Sequence, residues 1–519
     1  MKNSIKLGLA AAVLLLVVSC QREVSRTTGW NYNDPKMGGF EVAPFSEQIT
    51  GPNLVFIEGG SFVRGRMEED VMKDWNNTAM KTTVMSFYMD ESEVSNLDYL
   101  EYLNWVCKVF INEYPIVYQK SLPDTLVWRE KLSFREELVE YYFRYPAYRY
   151  YPVVGVSWKQ ATDYASWRTD RVNELILLQQ GAINIPEDPG PFDYFNTKAY
   201  LLYGADAAGI SSNPKGRFIT PAGEARDVRI EDGILLPEYR LPTEVEWEYA
   251  AYGLIGNTIG ERIYERKLYP WNGHTVRTDL PKAMGDMVAN TRRSTGDYMG
   301  IAGNLNDGAA ITAPVISYWP NDYGLFHMGG NVSEWVYDVY RQMTPDDVAE
   351  FSAFRGNFYT EYITTGDLEN PYPDRSDPSI YENAINDPNS VYYNNPSAIG
   401  KVLTQPVDET KNDRRRNYRT ADNINYLDGD FASSKYDWTG KSAQDSATRP
   451  DPMYERGSQD YSYNLVGDRA RVYKGASWKD IQYYLSPGTR RYMDEDETSS
   501  GIGFRCAMTR LGAPVLGTR

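Results

Sequence analysis

Histidine and cysteine are scarce in this chain of 519 residues, which contains 2 His and 3 Cys. His274 and His327 alone cannot supply a three-histidine iron centre, and a zinc site of the ordinary Cys/His type is not expected from so few ligands. A copper site built from thiolates needs at least two soft ligands in one place. The residue counts therefore disfavour metalloenzymes that depend on sulfur or imidazole ligands.

Positive charge is also in short supply. Asp and Glu together number 71 against 54 Lys and Arg, which gives a formal net charge of −17. Nucleic acid and anionic lipid surfaces repel an acidic chain, so we expect no nucleic-acid partner and no wide contact with anionic lipid. The same charge would also arise from a requirement for solubility alone.

The apolar run at residues 7–18 is too short to cross a bilayer comfortably. Two lysines precede it and small residues follow it, which is the pattern of a signal peptide. Because Cys20 comes directly after a small residue, the pattern resembles a bacterial lipobox. We predict that residues 1–19 are removed and that acyl chains on Cys20 anchor the protein. Gln21 favours the outer membrane, facing the periplasm. An ordinary secretory signal with a chance cysteine is the alternative.

Aromatic residues are abundant, with 42 Tyr and 12 Trp. Such side chains bury a large area at little entropic cost, which suits broad contact surfaces. They equally suit a loop-rich domain that needs large side chains to fill its core. The polar residues 20–51 are predicted to be a lipidated tether between the membrane and the domain.

Strand signals occur at three places. Residues 54–62 read as a strand with a turn at Gly59-Gly60, and further strands are predicted at 84–89 and 152–158. Each is short and bounded by turn residues.

Helix signals accompany these strands. Ser95 or Asn96 is expected to cap a helix, a second helix should cover 159–174, and Thr243 should cap a third with Glu246 completing a capping box. Few strands, several helices and many irregular segments predict an α+β fold.

Several motifs resemble one known family in order along the chain. They are RLPTEVEW at 240–247, YPWNG at 269–273, GNVSEW at 330–335, KGASWKD at 474–480 and GFRCA at 503–507. Together they resemble the sulfatase-modifying-factor family, which includes formylglycine-generating enzymes. The resemblance implies a loop-rich α+β fold that is a variant of the C-type-lectin fold.

The resemblance covers residues 52–510 and leaves 511–519 as a tail. It is interrupted by apparent insertions at about 110–150, 175–238 and 342–466. Segments of this length in a compact domain are usually functional or disordered.

The active members of this family use two redox cysteines just after the Gly-Ser-Trp/Tyr turn. The matching positions here are Asp480 and Leu485. Neither side chain has a thiol, and the family's chemistry needs a thiolate. The resemblance therefore implies a non-catalytic member, for which no copper is expected.

Cys506 matches a family cysteine that is disulfide-bonded in some members. Its usual partner position is Ala165 here, so no structural disulfide is expected, although an oxidising compartment would allow one. A bond between Cys107 and Cys506 would be an alternative, but no motif supports it. The helical pattern around Cys107 predicts a core residue.

Calcium is the ligand that the resemblance leaves open. The positions matching one family site are Asn290, the Thr291 carbonyl, Asp307 and the Ala309 carbonyl. Calcium prefers such oxygen ligands. A loop held by Asx-type hydrogen bonds alone is the alternative.

A second family site matches His327, the Gly330 and Val332 carbonyls, and Glu334. Imidazole is a poor calcium ligand. We expect this site to be degenerate, with Glu334 kept as a hydrogen-bonding core acid.

Longer words resemble one branch of the family, the gliding-motility lipoproteins of Bacteroidota. They are DVMKDWNNT at 70–78, FYMDESEV at 87–94, DTLVWR at 124–129 and WRTDRVNE at 167–174, whereas FVRG at 62–65 departs from the family pattern. The resemblance implies a scaffold of the type IX secretion system, with the ring proteins GldK and GldN as partners. A ligand-binding or enzymatic module that reuses the family's cleft is the alternative.

Two weaker patterns remain. Thr125 and Ser446 lie in short words that resemble the O-glycosylation acceptor of Bacteroidota. A basic group at 414–416 with Arg419 would suit an acidic partner, or would simply be a solvated loop.

Overall fold

The computed structural model describes residues 23–66, 70–73, 76–131, 134–184, 188–207, 218–255, 267–292, 309–340, 360–364, 377–386, 395–406 and 469–512. The described residues mix helices, short strands and long irregular segments, which confirms the predicted α+β class. The helices are α1 Asn96–Phe110, α2 Pro115–Ser121, α3 Glu136–Tyr141, α4 Trp158–Gln180, α5 Thr197–Ala207, α6 Glu244–Tyr252 and α7 Pro378–Asn386.

Within the described residues the strands form two four-stranded and two two-stranded sheets, in the orders β1-β4-β12-β5, β10-β9-β6-β11, β2-β3 and β7-β8. Their bounds are β1 Leu54–Ile57, β2 Gly60–Arg64, β3 Met80–Val84, β4 Phe87–Asp90, β5 Tyr239–Arg240, β6 Ser333–Val339, β7 Thr360–Tyr362, β8 Thr404–Pro406, β9 Ala470–Lys474, β10 Arg491–Asp494, β11 Ile502–Gly503 and β12 Ala507–Thr509.

The first sheet joins distant parts of the sequence. Strand β12 lies between β4 and β5, and Ala507 is in register with both Met89 and Arg240. All pairs in this sheet are antiparallel. The C-terminal GFRCA motif therefore closes onto strands that come from before residue 91 and from residue 239.

Strand β6 organises the second sheet. It pairs antiparallel with β9 and parallel with β11, and its register shifts between Trp335 and Val339. Six of its seven residues are buried, as expected for a strand covered on both faces. This strand brings the GNVSEW motif beside the KGASWKD motif.

Aromatic side chains fill the main core. Trp247 and Tyr249 of α6 are buried there with Phe62 of β2 and Val336 of β6, and the Phe62 and Tyr249 rings meet edge to face at 5.2 Å. Burying side chains of this size stabilises the fold by roughly 1.5–3 kcal/mol each. The aromatic composition thus serves the core at these positions.

The predicted capping box at Thr243 and Glu246 is confirmed, and of the two predicted caps at the first helix, Ser95 is the one that forms, also in a capping box. Ser95 accepts a hydrogen bond from the Asp98 amide, and Asp98 accepts one from the Ser95 amide, at the start of α1. Thr243 and Glu246 do the same at the start of α6. Each pair satisfies two backbone N–H groups that a helix start leaves free.

Two strand predictions were wrong in detail. Residues 84–89 belong to two strands, because the chain breaks at Met85 and Ser86, between β3 and β4. The segment 152–158 forms only an isolated bridge between Pro152 and Ser95. Its run of apolar residues is buried as loop, so burial there does not require a sheet. The helix predicted at 159–174 is α4 and extends to residue 180.

The chain divides into two compact units. One comprises Met1–Gln48, Asn173–Glu187 and Phe195–Leu236, and the other comprises Ile49–Val172, Asp188–Tyr194 and Pro237–Arg519. Both sheets lie in the second unit. In the first unit, the Asn173 side chain accepts from the Leu236 amide at 2.8 Å and donates to the Leu236 carbonyl at 3.1 Å.

Parts of the three predicted insertions pack against one another within the second unit. Tyr194 lies edge to face against Phe110 at 5.8 Å. The Phe192 ring packs against Tyr114 and Tyr381, with ring centroids 6.0 and 5.7 Å apart. These five rings come from all three insertions and form one aromatic layer.

An ion pair and a close backbone contact hold the third insertion in this layer. Lys401 lies 2.9 Å from Asp163 of α4. Burial works against the charged amine, but Asp163 outweighs it and raises the pKa of Lys401. Gly400 has φ +75°, and an added Cβ would lie 2.0 Å from the Pro191 carbonyl oxygen. The segment 395–406 is thus built into the domain.

Among the described helices, none is both long and apolar enough to cross a membrane.

Candidate functional site

The centre of the site is a turn that follows β9. The Ser477 amide and hydroxyl both donate to Asp480 Oδ2, at 2.8 and 2.7 Å. Gly475, at φ +73°, starts the turn in a conformation that favours glycine. The turn is therefore fixed by its own hydrogen bonds before any neighbour is considered.

Asp480 forms an ion pair with Arg491 of β10. The two guanidinium nitrogens lie 2.9 and 3.0 Å from the two carboxylate oxygens. Burial disfavours the charged carboxylate, but Arg491 and the Ser477 donors outweigh it and lower the pKa of Asp480. The side chain is thus an anion with each oxygen already bonded.

The guanidinium of Arg491 is held on several sides. It lies between the rings of Tyr473 and Tyr484, 4.8 and 4.6 Å from their centroids. It also donates to Ser333 Oγ and to the Gly475 carbonyl, both at 2.8 Å. A cation stacked and bonded in this way is a fixed structural element.

Leu485, the other position that matches a family cysteine, is fully buried. It packs in a small cluster with Val276, Met287, Ala289 and Ala476. A leucine in such surroundings contributes packing and has no group that could react. The geometry around both positions therefore stabilises the fold.

The first insertion covers the same turn. Trp128 stacks on Trp478, with ring centroids 5.9 Å apart and an interplanar angle of 25°. Lys479 lies 2.5 Å from Glu130, and the Arg135 guanidinium lies 5.2 Å from the Trp478 ring. This part of the insertion packs over the turn that would carry the family's chemistry.

A buried acid lies beside this region. Glu334 of β6 accepts two hydrogen bonds from Arg505, at 2.6 and 2.7 Å, and one from Trp247 Nε1 at 2.7 Å. All three side chains are buried. With both carboxylate oxygens taken up by a guanidinium and an indole, Glu334 is a hydrogen-bonded core acid.

His327, matched to the same family calcium site, is also committed to the fold. Its Nε2 lies 3.0 Å from the Pro314 carbonyl, which can only accept, so Nε2 carries the proton. Burial lowers the pKa of His327 to about 4. A neutral donor here, with Glu334 paired to Arg505, does not fit a calcium ion at this second site.

The first family calcium site is described only in part. The Asn290 side-chain nitrogen donates to the Ile311 carbonyl at 2.8 Å, which leaves its oxygen as the atom that could bind a cation. Thr291 Oγ1 donates to the Asp480 carbonyl at 2.6 Å. Ala309 belongs to the described residues, whereas Asp307 lies outside them. Calcium binding at this site therefore stays a prediction.

Within the described ranges, no group of three or more His, Cys, Asp or Glu side chains is placed to hold a metal ion. The calcium prediction relies mainly on carbonyl and amide oxygens, so this finding does not bear on it.

The cysteines are free where the structure describes them. Cys107 is partly buried and Cys506 is fully buried, and neither forms a disulfide. Burial raises the pKa of Cys506 to about 12, so its thiol stays protonated at neutral pH. Such a group is a poor nucleophile.

Sequence reasoning missed a buried group of charges between α6 and β9. Lys474 lies 3.4 Å from Glu244 and 3.2 Å from Glu248, and Arg490 lies 2.9 Å from Glu244. Asp338 accepts from the Glu244 amide at 2.7 Å. The only signal was the placement of acids inside the otherwise buried TEVEW helix start, since buried charges are normally paired.

A shallow cleft opens beside this core. Trp271, Tyr318 and Trp319 supply its aromatic wall. Gly329 connects it to the leucine cluster, since an added Cβ there would lie 3.5 Å from Leu485. The cleft is therefore adjacent to Leu485.

The remaining predicted sites are the glycosylation and lipidation positions and the basic group. Thr125 lies in a short 3-10 helix, Thr125–Trp128, and is partly buried. Cys20, Ser446 and the basic group at 414–416 with Arg419 lie outside the described residues.

Comparison with known proteins agrees with this geometry. Residues 39–392 match the sulfatase-modifying factor enzyme 1-like domain family. The chain is 27% identical over 285 residues to the mouse formylglycine-generating enzyme, covering 55% of this chain and 58% of that protein. It is 36% identical over 102 residues to the Streptomyces coelicolor formylglycine-generating enzyme, covering 19% and 26%. The chain thus spans little more than half the length of the mouse relative.

Among solved structures, PvdO from Pseudomonas aeruginosa aligns with 90% of this chain and 99% of its own, at 13% identity and a TM-score of 0.39. The match to the family covers well over half of the sequence. The chain belongs to the sulfatase-modifying-factor family, the family of the formylglycine-generating enzymes.

Proposed function

We propose that this protein is a non-catalytic lipoprotein that serves as a scaffold of the type IX secretion and gliding machinery, similar to GldJ. Its lipid would be on Cys20, its membrane the outer membrane, and its side the periplasm. The main support for the proposal is the Asp480–Arg491 ion pair. Asp480 matches the first of the two positions at which active family members have redox cysteines, and here it is held by Arg491.

The rest of the site supports a loss of the family's reaction. Leu485 is buried in an apolar cluster, and Cys506 is a protonated thiol bonded into the core. Trp128 of the first insertion packs over the Trp478 turn. Thiolate chemistry needs an accessible, ionised sulfur, and the residues at these positions do not offer one.

The insertions support the scaffold role. Their aromatic residues pack in one layer, and Lys401 pins the third insertion to Asp163. A rigid platform loses less entropy on binding than a flexible one. We propose that this platform positions the protein against GldK and GldN.

The first experiment identifies the partners. The chain would be tagged near Arg519, outer membranes solubilised gently, and complexes cross-linked before mass spectrometry. Cross-links from the insertions to GldK and GldN are expected. Recovery of the chain alone, while the GldK–GldN ring is intact in the same sample, would refute the scaffold proposal.

The second experiment removes insertion sequence without damaging the core. Removing all of 342–466 would also remove Lys401 and Tyr381, and so expose the aromatic layer. A better variant replaces only 407–468 with a short Gly/Ser linker and keeps 395–406. We expect it to melt like the full chain and to lose the ring proteins. Unaltered secretion and gliding in this variant would count against a partner role for that segment.

A ligand-binding or enzymatic module remains the second candidate. It is favoured by one observation, the cleft walled by Trp271, Tyr318 and Trp319 next to Leu485. Replacing Trp319 with Ala removes an exposed wall residue without disturbing the core. If secretion fails while the protein stays folded and still binds the ring, a ligand in the cleft becomes the better explanation.

We also propose calcium binding at Asn290, the Thr291 and Ala309 carbonyls and Asp307. Calcium should raise the melting temperature of the purified chain, by mass action on the folded state. The Asp307→Asn variant should not respond. An equal response in both proteins would place the ion elsewhere.

A further inference from the structure

The first unit exposes an unusual number of apolar side chains close to its N-terminal end. Between residues 23 and 48, Trp30 is 54% exposed, Phe40 67% and Phe45 79%. Single exposed apolar residues are common on soluble proteins. Three large exposed aromatic residues in one short segment are less common, and exposed apolar patches mark sites that contact a protein, a membrane or a ligand.

This segment is folded, although the sequence predicted a tether. Val24 and Asn31 form a β-bridge. The Asn33 side chain donates to the Val42 carbonyl at 3.0 Å and accepts from the Val42 amide at 2.9 Å. Trp30 lies against Gly38, where an added Cβ would be 2.6 Å from the indole. The backbone that carries the exposed rings is therefore held by local structure.

An open groove begins at Phe45, at the end of this segment. Phe45 and Pro44 line one part of it, and Phe218 and Ile219 line another. Ile219 is 60% exposed. The polar residues in the groove are already paired, since Arg226 forms ion pairs with Asp232 and Glu41. What the groove offers a partner is mainly apolar.

We propose that this surface, made by Trp30, Phe40, Phe45 and Ile219, lies in the interfacial layer of a lipid bilayer. The inference rests on the lipid anchor proposed for Cys20. Three residues of extended chain span at most about 10 Å, so Glu23 must lie within about that distance of an acylated Cys20. Aromatic and aliphatic side chains that lie this close to the membrane surface partition into the interfacial layer of the bilayer.

Charge does not drive this contact. Residues 23–48 contain four acidic and two basic residues, so an anionic surface would not attract them. Binding should therefore depend on apolar area and be as strong on zwitterionic as on anionic lipid. This separates the proposal from electrostatic adsorption.

The test uses the mature chain starting at Gln21, without acyl groups, and vesicles of phosphatidylcholine. We expect the protein to float with the vesicles, and the variant Phe40→Ser/Phe45→Ser to bind about tenfold more weakly. The matched control is Met85→Ser/Phe134→Ser, which changes two residues that are 74% and 82% exposed in the second unit. The control should bind like the wild type.

Three results would overturn the inference: no flotation of the unmodified chain, an equal loss in the control variant, or flotation only with anionic vesicles. Thermal melting shows whether each variant is folded. The anchor is tested separately by mass spectrometry of Cys20 in the membrane-extracted chain. An unmodified Cys20 would refute the anchor and leave the vesicle result standing.

Discussion

Asp480 and Arg491 face each other as a two-pronged ion pair, with nitrogen–oxygen distances of 2.9 and 3.0 Å. Both side chains are 19% exposed. The pair links the turn after β9 to strand β10, at a position that the sequence resemblance predicts to match a family cysteine. The ion pair is thus a structural contact, and its contribution to the free energy of unfolding can be measured.

Replacing Asp480 with Ala should destabilise the fold by about 2–4 kcal/mol, because it leaves the stacked Arg491 guanidinium without its anion. The double variant Asp480→Leu/Arg491→Leu should recover part of that loss, since it removes the unpaired guanidinium. The recovery should be incomplete, because the Ser477 donors and the Gly475 carbonyl lose their partners. Urea unfolding of the purified chain measures both values.

Two results would argue against this structural role. One is a double variant no more stable than Asp480→Ala. The other is full stability in Asp480→Ala together with failed secretion, which would point to a direct functional use of the carboxylate.

His327 predicts a rise in stability with pH. Its pKa is lowered by burial from about 6.5 in the unfolded chain to about 4 in the fold. Between these values the unfolded state binds more protons, so the folded state gains stability as pH rises from about 4 to 6.5. The gain amounts to roughly 3 kcal/mol.

The measurement compares the wild type with His327→Gln, whose amide can still donate to the Pro314 carbonyl. The difference in unfolding free energy between the two proteins should change across pH 4–6.5. A difference that stays constant over this window would show that His327 does not titrate as described.

Asp338 predicts the opposite trend in a higher range. Burial and the neighbouring Glu244 raise its pKa to about 8, although the Glu244 amide, Arg490 and Arg64 act against this. Because the folded state holds a proton that the unfolded state releases near pH 4, stability falls as pH rises from about 4 to 8.

Asp338→Asn should remove this fall while keeping the hydrogen bond from the Glu244 amide. The unfolding free energy of the variant minus that of the wild type should increase by a few kcal/mol as pH rises from 4 to 8. Urea unfolding at both pH values suffices. A variant that loses stability equally at both would indicate a packing defect.

Gly400 predicts how firmly the third insertion is held. Gly400→Ala should displace the segment 395–406, because the new Cβ would lie 2.0 Å from the Pro191 carbonyl and φ is +75°. Hydrogen exchange of this segment should rise strongly. Gly324→Ala is the control, since Gly324 has φ +84° but no atom within 4 Å of an added Cβ. It should show only the modest cost of backbone strain.

Local signals predicted the local structure well. Thr243 was identified as a helix cap because a short polar side chain followed by an acid three residues later satisfies specific N–H groups. For the other helix the sequence offered Ser95 or Asn96, and Ser95 is the cap. The strand predictions at 84–89 and 152–158 were less accurate, because burial of an apolar run is decided by what packs against it. For 152–158, helix α1 and the first insertion supply that packing, so no sheet partner is needed.

The site was predicted in part. The resemblance matches Asp480 and Leu485 to positions that carry thiols in the family, and this match stays a prediction. The sequence did not show that Arg491, eleven residues later, would pair with Asp480, or that Trp128 would stack on Trp478 from an insertion 350 residues away. Nor did it reveal the Lys474–Glu248 pair, because pairing between distant charges leaves no local pattern.

The sequence by itself therefore determined the fold class and the family, because these depend on residue identity and short-range spacing. Only the tertiary structure decided what surrounds Asp480, Leu485 and Trp478: an ion pair, an apolar cluster and the stacked ring of Trp128. Some of these contacts join segments hundreds of residues apart, and their energies depend on desolvation and packing, which exist only once the chain has folded.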